Sequence, residues 1–263
     1  MEYIDLAGHR VLITGGAGSG VGSGICEALY QGGAKIIIND IDSRNLSKAS
    51  EKYPEALTVN ANLEDPAAVE QMLFRIEEFC GGVNGLVNNA GIGLSKVAHE
   101  VTEEEFAHLY GVNVQAVWRL SKLFVRRCME RNEKGNIVNI SSVHAHSTQS
   151  RYAIYASAKN AIVGLTRGMA CEIGPLGFRV NAVGPGYVHA EQNYDLIKTW
   201  AEDPHQWVRD FVQNHQVLNH EINAVDIGNT VAFLLSDLAR SITGQNIYVD
   251  NGTTSLIFNR DFT

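Results

Sequence analysis

Residues 10–22 read RVLITGGAGSGVG, a short apolar segment that runs directly into a glycine-rich loop. The unbroken run of aliphatic residues predicts a buried strand, and the residues from about 22 onwards predict a helix. Glycine allows the sharp turn between the two, and it lets the backbone approach a phosphate that the helix N-terminus attracts. The pattern G-x-G-x-x-G does not occur here, but a glycine loop after a first apolar strand still predicts dinucleotide binding.

Strand and helix patterns alternate along the rest of the chain. Further apolar or β-branched runs lie at 35–38, 57–59, 85–87, 136–140, 178–183 and 246–249. Helical patterns lie at about 22–32, 43–52, 66–79, 103–131, 155–173 and 224–236. This alternation predicts an α/β fold: a doubly wound, Rossmann-like parallel sheet of about seven strands with helices on both faces.

No linker or repeat divides the chain, so residues 1–263 are predicted to form a single dinucleotide-binding and catalytic domain. Residues 187–222 are the least regular part and interrupt the alternation before the last strand. An insertion of this kind is typical of a functional loop, so we expect 187–222 to be a substrate-specificity loop region.

The composition narrows the class of protein. The chain has 263 residues, 45% of them hydrophobic, and a net charge of −8, which argues against disorder and against a nucleic-acid partner. The four cysteines match no zinc spacing, and His144-Ala145-His146 lacks further ligands, so no metal site is predicted. No signal region is evident, and no apolar run has the ~18–20 residues of a membrane helix. The expected location is the cytoplasm, without a membrane partner.

The second strand ends in Ile38-Asn39-Asp40. An acid at this place, about 18 residues after the glycine loop, can accept hydrogen bonds from the hydroxyls of an adenosine ribose. A 2′-phosphate beside the Asp40 carboxylate would meet like-charge repulsion, and neither residue 39 nor residue 41 is basic. The sequence therefore predicts NAD rather than NADP as the cofactor.

Tyr155 and Lys159 form a Y-x-x-x-K pair, which a helix places on one face. A phenol normally titrates near ~10, and a neighbouring ammonium favours the phenolate, so the pair can act as a general acid and base. A second copy exists at Tyr194 and Lys198. Context separates the copies: thirteen residues before Tyr155 is Ser142, at a predicted strand end, whereas thirteen before Tyr194 is Asn181, inside a strand.

Together these motifs resemble the short-chain dehydrogenase/reductase family over nearly the whole chain. The loop resembles its T-G-x-x-x-G-x-G pattern with one extra residue between Gly15 and Gly20, which leaves open which of residues 16–19 contact the phosphates. The resemblance implies that Ser142 holds the substrate oxygen and that Tyr155 exchanges its proton. Lys159 would bind the nicotinamide ribose and lower the pKa of Tyr155.

The resemblance extends to other segments. Asn113 matches the family's fourth catalytic residue, which would hold a water that links Lys159 to solvent. The implied cofactor contacts come from six segments: Gly15, Ser19, Gly20, Val21, Gly22, Asp40, Asn62, Leu63, Asn89, Ala90, Gly91, Tyr155, Lys159, Pro185, Gly186 and Val188. The chain departs from the family pattern at Asn62 (usually Asp), Ala190 (usually Thr) and Asn251 (usually Gly). By the same likeness, helices 103–131 and 155–173 imply a homotetramer.

The predicted function is the NAD-dependent interconversion of a secondary alcohol and a ketone. Polar residues surround the expected site, and Ser142, His144, Tyr155 and His189 are the candidate substrate contacts. A sterol or acyl pocket would be mostly apolar, so a small sugar or polyol is favoured. Two alternatives stay open: a reductase of another carbonyl, such as a 3-oxoacyl thioester or cyclic ketone, and a non-catalytic dinucleotide sensor.

Overall fold

A computed structural model of the protein describes residues 4–189, 194, 197–199 and 201–256. Nine strands are present in these ranges: β1 (Arg10–Thr14), β2 (Lys35–Asp40), β3 (Leu57–Asn60), β4 (Gly85–Asn88), β5 (Asn136–Ile140), β6 (Arg179–Pro185), β7 (Val188–His189), β8 (Ile222–Asn223) and β9 (Asn246–Val249). Seven of them form one parallel sheet in the order β3-β2-β1-β4-β5-β6-β9. This confirms the predicted doubly wound sheet and each of its seven strands. The short strands β7 and β8 pair with each other.

The helices in the described ranges are α1 (Val21–Gln31), α2 (Ser43–Lys52), α3 (Pro66–Cys80), α4 (Glu103–Tyr110), α5 (Ala116–Glu130), α6 (Ala153–Ile173), α7 (Pro204–His215) and α8 (Ala224–Leu235). Their starts follow local signals. Asp65 accepts a hydrogen bond from the Ala67 N–H and precedes Pro66, and Thr102 and Glu105 form a capping box. None of the described helices is long and apolar enough to cross a membrane.

The sheet is covered on both faces, as the continuous apolar strands predict. Val11 and Ile13 of β1 belong to the core that includes Ile25 of α1 and Val231 of α8. Leu12, between them, belongs to a second core that includes Met72 of α3 and residues of α5 and α6. Successive side chains of a strand point to opposite faces, so one strand contributes to both layers.

Helices α1 and α8 cross at unusually close range. A Cβ on Gly24 would overlap the backbone of Ala224, and a Cβ on Gly228 would overlap the carbonyl oxygen of Gly24. Only glycine lets the two backbones approach this closely. The helix that follows the glycine loop is therefore held directly against the start of α8.

The predicted helix 103–131 is helical without a break from Glu103 to Glu130, but it is not α-helical throughout. The structure divides it into α4 and α5, with a π-helical turn at Gly111–Gln115 between them. The turn places Asn113 in the interior, only 1% exposed, where its amide exchanges two hydrogen bonds with the backbone of Ile92. A π turn widens the helix by one residue, and it forms where such tertiary contacts stabilise it, which apolar periodicity does not reveal.

The segment 187–222 is more regular than the sequence pattern indicates, because α7 lies within it. Asp203 accepts a hydrogen bond from the Gln206 N–H, and Pro204 is the first residue of the helix, the same Asp-Pro signal that begins α3. Val208 and Val212 of α7 pack with Ile197 in a small core apart from the two main ones.

Candidate active site

The carboxyl ends of β1, β4, β5 and β6 lie along one edge of the sheet and carry the residues that the sequence singled out. The order of strands reverses at the β1–β4 pair, since β2 and β3 lie on one side of it and β5, β6 and β9 on the other. In open α/β sheets, ligands bind in the crevice outside the strand ends at such a switch point. The glycine loop, residues 89–91, Ser142 and the Pro185–Gly186 turn all follow these strand ends.

The glycine loop is tied to the end of β4. The Thr14 hydroxyl accepts hydrogen bonds from the N–H groups of Asn89 and Ala90, both at 3.0 Å. The Asn89 amide donates in turn to the carbonyl oxygens of Thr14 and Gly15, both at 2.9 Å. Gly15 has a φ of +61°, and a Cβ on Gly22 would overlap the Gly15 carbonyl oxygen. Both positions therefore require glycine, and Asn89 shapes the loop.

The N–H groups of the loop divide into two sets. The Gly16 N–H donates to the Asn39 carbonyl at 3.1 Å, and the Ala17 N–H donates to the Asp40 carboxylate at 3.1 Å. The N–H groups of residues 18–21 donate to no acceptor in the described part of the chain. These groups surround the start of α1, where backbone dipoles favour an anion. The N–H groups of residues 18–21 could therefore hold a pyrophosphate, whereas those of Gly16 and Ala17 already have acceptors in the protein.

Asp40 is half-buried, and its carboxylate accepts hydrogen bonds from the N–H groups of Ala17 and Asp42, each at 3.1 Å. A carboxylate has about four acceptor sites, so it can also accept from ribose hydroxyls. Beside it, Ile41 is 69% exposed, and its apolar side chain could pack against an adenine ring, a feature that the sequence reasoning missed. An apolar residue directly after the strand-end acid would have been the signal.

Asn62 and Leu63, two further predicted cofactor contacts, form hydrogen bonds within the protein. Asn62 is exposed, and its side-chain oxygen accepts a hydrogen bond from the Glu64 N–H at 3.0 Å. Leu63 is buried at 8% exposure, and its carbonyl oxygen accepts from Arg119 at 2.9 Å. Both lie at the carboxyl end of β3, beyond Asp40.

Ser142, Tyr155 and Lys159 lie together. Ser142 follows β5, and Tyr155 and Lys159 occupy successive turns of α6. The Lys159 Nζ donates to the Ile140 carbonyl at 3.0 Å and lies 5.7 Å from the centre of the Tyr155 ring. A Cβ on Gly91 would lie 3.5 Å from the Lys159 Nζ and 3.3 Å from the Asn113 Oδ1. The four predicted catalytic residues, including Asn113, therefore converge on one side of the crevice.

Burial changes the pKa of both proton-handling groups. It raises the pKa of the Tyr155 phenol, although the hydrogen bond from the Ser142 hydroxyl stabilises the phenolate and lowers that pKa in part. Burial also lowers the pKa of the Lys159 ammonium to about 8. The predicted lowering of the Tyr155 pKa by Lys159 is not present in this structure. The ammonium is turned towards the Ile140 carbonyl, and desolvation of the phenol is the larger effect.

His144 contacts the phenol directly. Its ring stacks on Tyr152 at 4.7 Å and meets Tyr155 edge-on at 5.5 Å, and its Nδ1 lies 2.8 Å from the Thr148 hydroxyl. Burial lowers its pKa, so the imidazole is neutral at pH 7. Sequence reasoning missed Tyr152, although three residues before Tyr155 on a helix is the same face. His146 instead contacts Tyr248 at 5.7 Å, so the two histidines of the H-A-H motif have different partners.

The last predicted contacts follow β6. Pro185 ends this strand, the Gly186 N–H donates to the Val249 carbonyl at 3.0 Å, and Val188 pairs with Ile222. The backbone of His189 is in β7, but its side chain and all of Ala190 lie outside the described residues. Their predicted roles are therefore not located.

The second Y-x-x-x-K pair has a different environment. The Tyr194 ring lies 4.6 Å from the His205 ring, and Lys198 is exposed, whereas Lys159 is only 5% exposed. Asn181, thirteen residues before Tyr194, is buried in β6. Its side-chain amide donates a hydrogen bond to the Ile242 carbonyl and accepts one from the Gln245 N–H.

The chain is similar to known proteins over nearly its whole length. The family model described as Enoyl-(Acyl carrier protein) reductase matches residues 16–254. Human L-xylulose reductase is 35% identical over 247 residues, which cover 94% of this chain and 97% of the relative. Carbonyl reductase (NADPH) 2 of Sus scrofa is 33% identical over 249 residues, or 95% of this chain and 98% of the relative.

Two further proteins are similar over the same length of chain. The 3-oxoacyl-(acyl-carrier-protein) reductase FabG of Escherichia coli is 33% identical over 251 residues, which cover 95% of this chain and 98% of the relative. A solved structure described as a short-chain type dehydrogenase/reductase from Mycobacterium marinum has a TM-score of 0.87 and 26% identity, and covers 97% of this chain and 99% of that chain. The similarity therefore extends over whole chains rather than over one motif.

Proposed function

The chain belongs to the short-chain dehydrogenase/reductase family of oxidoreductases, and from that membership we propose that it interconverts a secondary alcohol and a ketone with NAD. The observation that supports this proposal best is the convergence of Ser142 after β5, Tyr155 on α6 and, one helical turn from Tyr155, the buried Lys159 at the edge of the sheet. A non-catalytic dinucleotide sensor would not need this set of residues.

Ser142 and Tyr155 have different roles towards the substrate oxygen. When bound, the nicotinamide ring supplies the position that accepts or donates the hydride. Ser142 holds the oxygen, and the Tyr155 phenol removes its proton in oxidation or donates a proton in reduction. Because burial raises its pKa, the phenol is protonated at neutral pH and suits the reduction of a ketone. In oxidation the phenolate is the base, and in this structure Ser142 is the group that lowers the pKa of the phenol.

Lys159 and Asn113 form the proposed path for the proton. With a pKa of about 8, Lys159 can gain and lose a proton near neutral pH. The Asn113 amide is oriented by Ile92, and its Oδ1 approaches the same point above Gly91 as the Lys159 Nζ. A water held there by Asn113 would connect Lys159 to solvent.

The Tyr155→Phe variant tests this mechanism. The change removes the exchangeable proton but keeps the ring, so turnover should fall by about 10²–10⁴-fold while the NADH dissociation constant stays within about twofold. NADH binding is measured by fluorescence titration and turnover by absorbance at the nicotinamide band. The matched control is Tyr194→Phe in the second pair, which should lose much less turnover. Turnover at the wild-type rate in Tyr155→Phe would exclude the proposed acid–base role.

The preference for NAD is proposed from Asp40. Its carboxylate would repel a 2′-phosphate, and the nearest following base, Arg44, is already paired with Asp42 at 3.0 Å. NADP is the alternative, supported by the relative whose name is carbonyl reductase (NADPH) 2. The kcat/KM of the wild type with each cofactor decides between them. Equal values would show that the Asp40 argument is wrong, and Asp40→Ser should narrow any difference.

The proposed substrate is a polar sugar or polyol. Neutral polar groups of His144 and Tyr152 stand next to Tyr155, and human L-xylulose reductase is among the relatives. The alternative is a 3-oxoacyl thioester or cyclic ketone, which the relative FabG supports. A rate screen across polyols, sugars, hydroxy acids, cyclic ketones and an acyl thioester distinguishes them. Activity confined to the thioester would reject the polyol proposal.

A homotetramer is proposed by family resemblance. Phe106 of α4 and Trp118 of α5 are 39% and 45% exposed, and Gly164 and Gly168 of α6 are exposed with open space at the Cβ position. Large aromatic side chains beside small exposed residues suit the close packing of a second copy. The single-domain organisation, the role of residues 187–222 and the cytoplasmic location stay predictions.

A further inference from the structure

The turn that follows β9 contains an unusual backbone conformation at Asn251. Its φ is +51°, in the left-handed region that side chains other than glycine seldom adopt. Asparagine tolerates this region better than most residues, but glycine adopts it without strain, and the family pattern has glycine at this position. The Asn251 side chain therefore needs a reason to be present.

The contacts of Asn251 supply that reason. Its Nδ2 donates to the Gln216 Oε1 at 3.1 Å and to the His220 carbonyl at 2.7 Å. Its own carbonyl accepts from the N–H groups of Val217 and Leu218, at 2.8 and 3.2 Å. All four partners lie in residues 216–220, the stretch between α7 and β8 that closes the segment 187–222. Gln216 is fully buried, whereas residues 217–220 are exposed, so Gln216 is the anchor of this junction in the protein interior.

The same turn also contacts the beginning of the segment. The Gly186 N–H donates to the Val249 carbonyl at 3.0 Å, and a Cβ on Gly186 would lie 2.9 Å from the Asp250 Cα. The short β7–β8 pair joins Val188 to Ile222 nearby. Both ends of the segment thus lie close to residues 249–251, next to the Pro185–Gly186 turn.

We propose that Asn251 is a positioning residue for the substrate: it holds residues 216–220, the exit of segment 187–222, against the turn after β9 and so fixes where this exit lies beside the Pro185–Gly186 turn of the active site. Glycine would adopt the same backbone with less strain, but it could not donate to Gln216 and His220. The side chain acts only through residues 216–220. The substrate consequence rests on the proposed function, whereas the local consequence does not.

The test compares Asn251→Gly with Asn132→Gly. Asn132 has nearly the same φ, +57°, but it is exposed, and its side chain makes no hydrogen bond to any described residue. The control therefore reports the backbone effect alone. Two neutral hydrogen bonds are lost only in Asn251→Gly, so amide hydrogen exchange in peptides covering 210–222 should be about tenfold faster there and unchanged in Asn132→Gly.

Kinetics then separate positioning from folding. Asn251→Gly should raise KM for the best substrate about tenfold, with kcat and the NADH dissociation constant within about twofold of wild type. Asn251→Asp keeps the size and the left-handed tolerance but places carboxylate oxygens against two acceptors. It should therefore show at least as large a change in exchange and KM.

The results can overturn the proposal in two ways. Unchanged exchange at 210–222 in both Asn251 variants would show that the side chain does not hold the segment. Faster exchange with an unchanged KM would show that the contact is structural and does not position substrate. If the wild type has no oxidoreductase activity at all, the proposed function fails, but the exchange comparison still decides whether Asn251 holds the segment.

Discussion

Replacing Lys159 by methionine should make the protein more stable while it removes activity. Lys159 is 5% exposed, and burial lowers the pKa of its ammonium from 10.5 to about 8. At pH 7 this difference corresponds to a destabilisation of the native state of about 3 kcal/mol. Methionine has a similar length and no charge, but it leaves the Ile140 carbonyl without its donor, which costs about 1 kcal/mol. The expected net gain in the free energy of unfolding is about 2 kcal/mol.

The gain should disappear as the pH rises. Between pH 8 and 10.5 the unfolded state keeps the lysine proton and the native state does not, so the wild-type free energy of unfolding increases with pH. By pH 10 about 2.5 kcal/mol of the original penalty is gone, which is more than the expected net gain. Other titrating groups change both proteins equally and cancel in the difference.

Urea unfolding followed by tryptophan fluorescence at pH 7 and pH 10 measures the effect. The matched control is Lys198→Met, because Lys198 belongs to the second Y-x-x-x-K pair and is exposed. Lys198→Met should change stability by less than about 0.5 kcal/mol at either pH. The proposed proton path requires a buried Lys159 with a lowered pKa. If the difference in the free energy of unfolding between Lys159→Met and the wild type is the same at both pH values, Lys159 does not have that lowered pKa.

Three further changes have direct structural consequences. Gly22→Ala places a Cβ on the Gly15 carbonyl oxygen, so the NADH dissociation constant should rise at least tenfold by fluorescence titration, while Gly174→Ala, in open space, should leave it unchanged. Asn139→Ala removes two buried side-chain hydrogen bonds at 2.8 and 2.9 Å, and a loss of about 2–4 kcal/mol is expected in urea unfolding; a loss under 1 kcal/mol would contradict the network. Trp118→Glu places a charge on the proposed packing face, so light scattering should find a smaller assembly than in the wild type, and an unchanged mass would move the interface elsewhere.

Most of the fold could be predicted because its signals are local. The continuous apolar strands, the Asp65-Pro66 helix start, the Thr102–Glu105 capping box and the glycine loop each depend on residues close together in the chain. The order of Ser142, Tyr155 and Lys159 belongs to the same class, since a strand end and a helix face fix their relative places.

Other features depend on contacts between distant segments. At the π turn, Asn113 is hydrogen-bonded to the backbone of Ile92. The left-handed Asn251 is likewise hydrogen-bonded to residues 216–220. The pKa of Tyr155 is raised rather than lowered because desolvation depends on everything that surrounds the phenol, and a motif of five residues does not contain those surroundings. The sequence by itself therefore predicted which residues carry the proposed chemistry and in what order they follow along the chain. Only the tertiary structure decided their protonation and how the surrounding segments are held, because burial and long-range hydrogen bonds are properties of the packed chain.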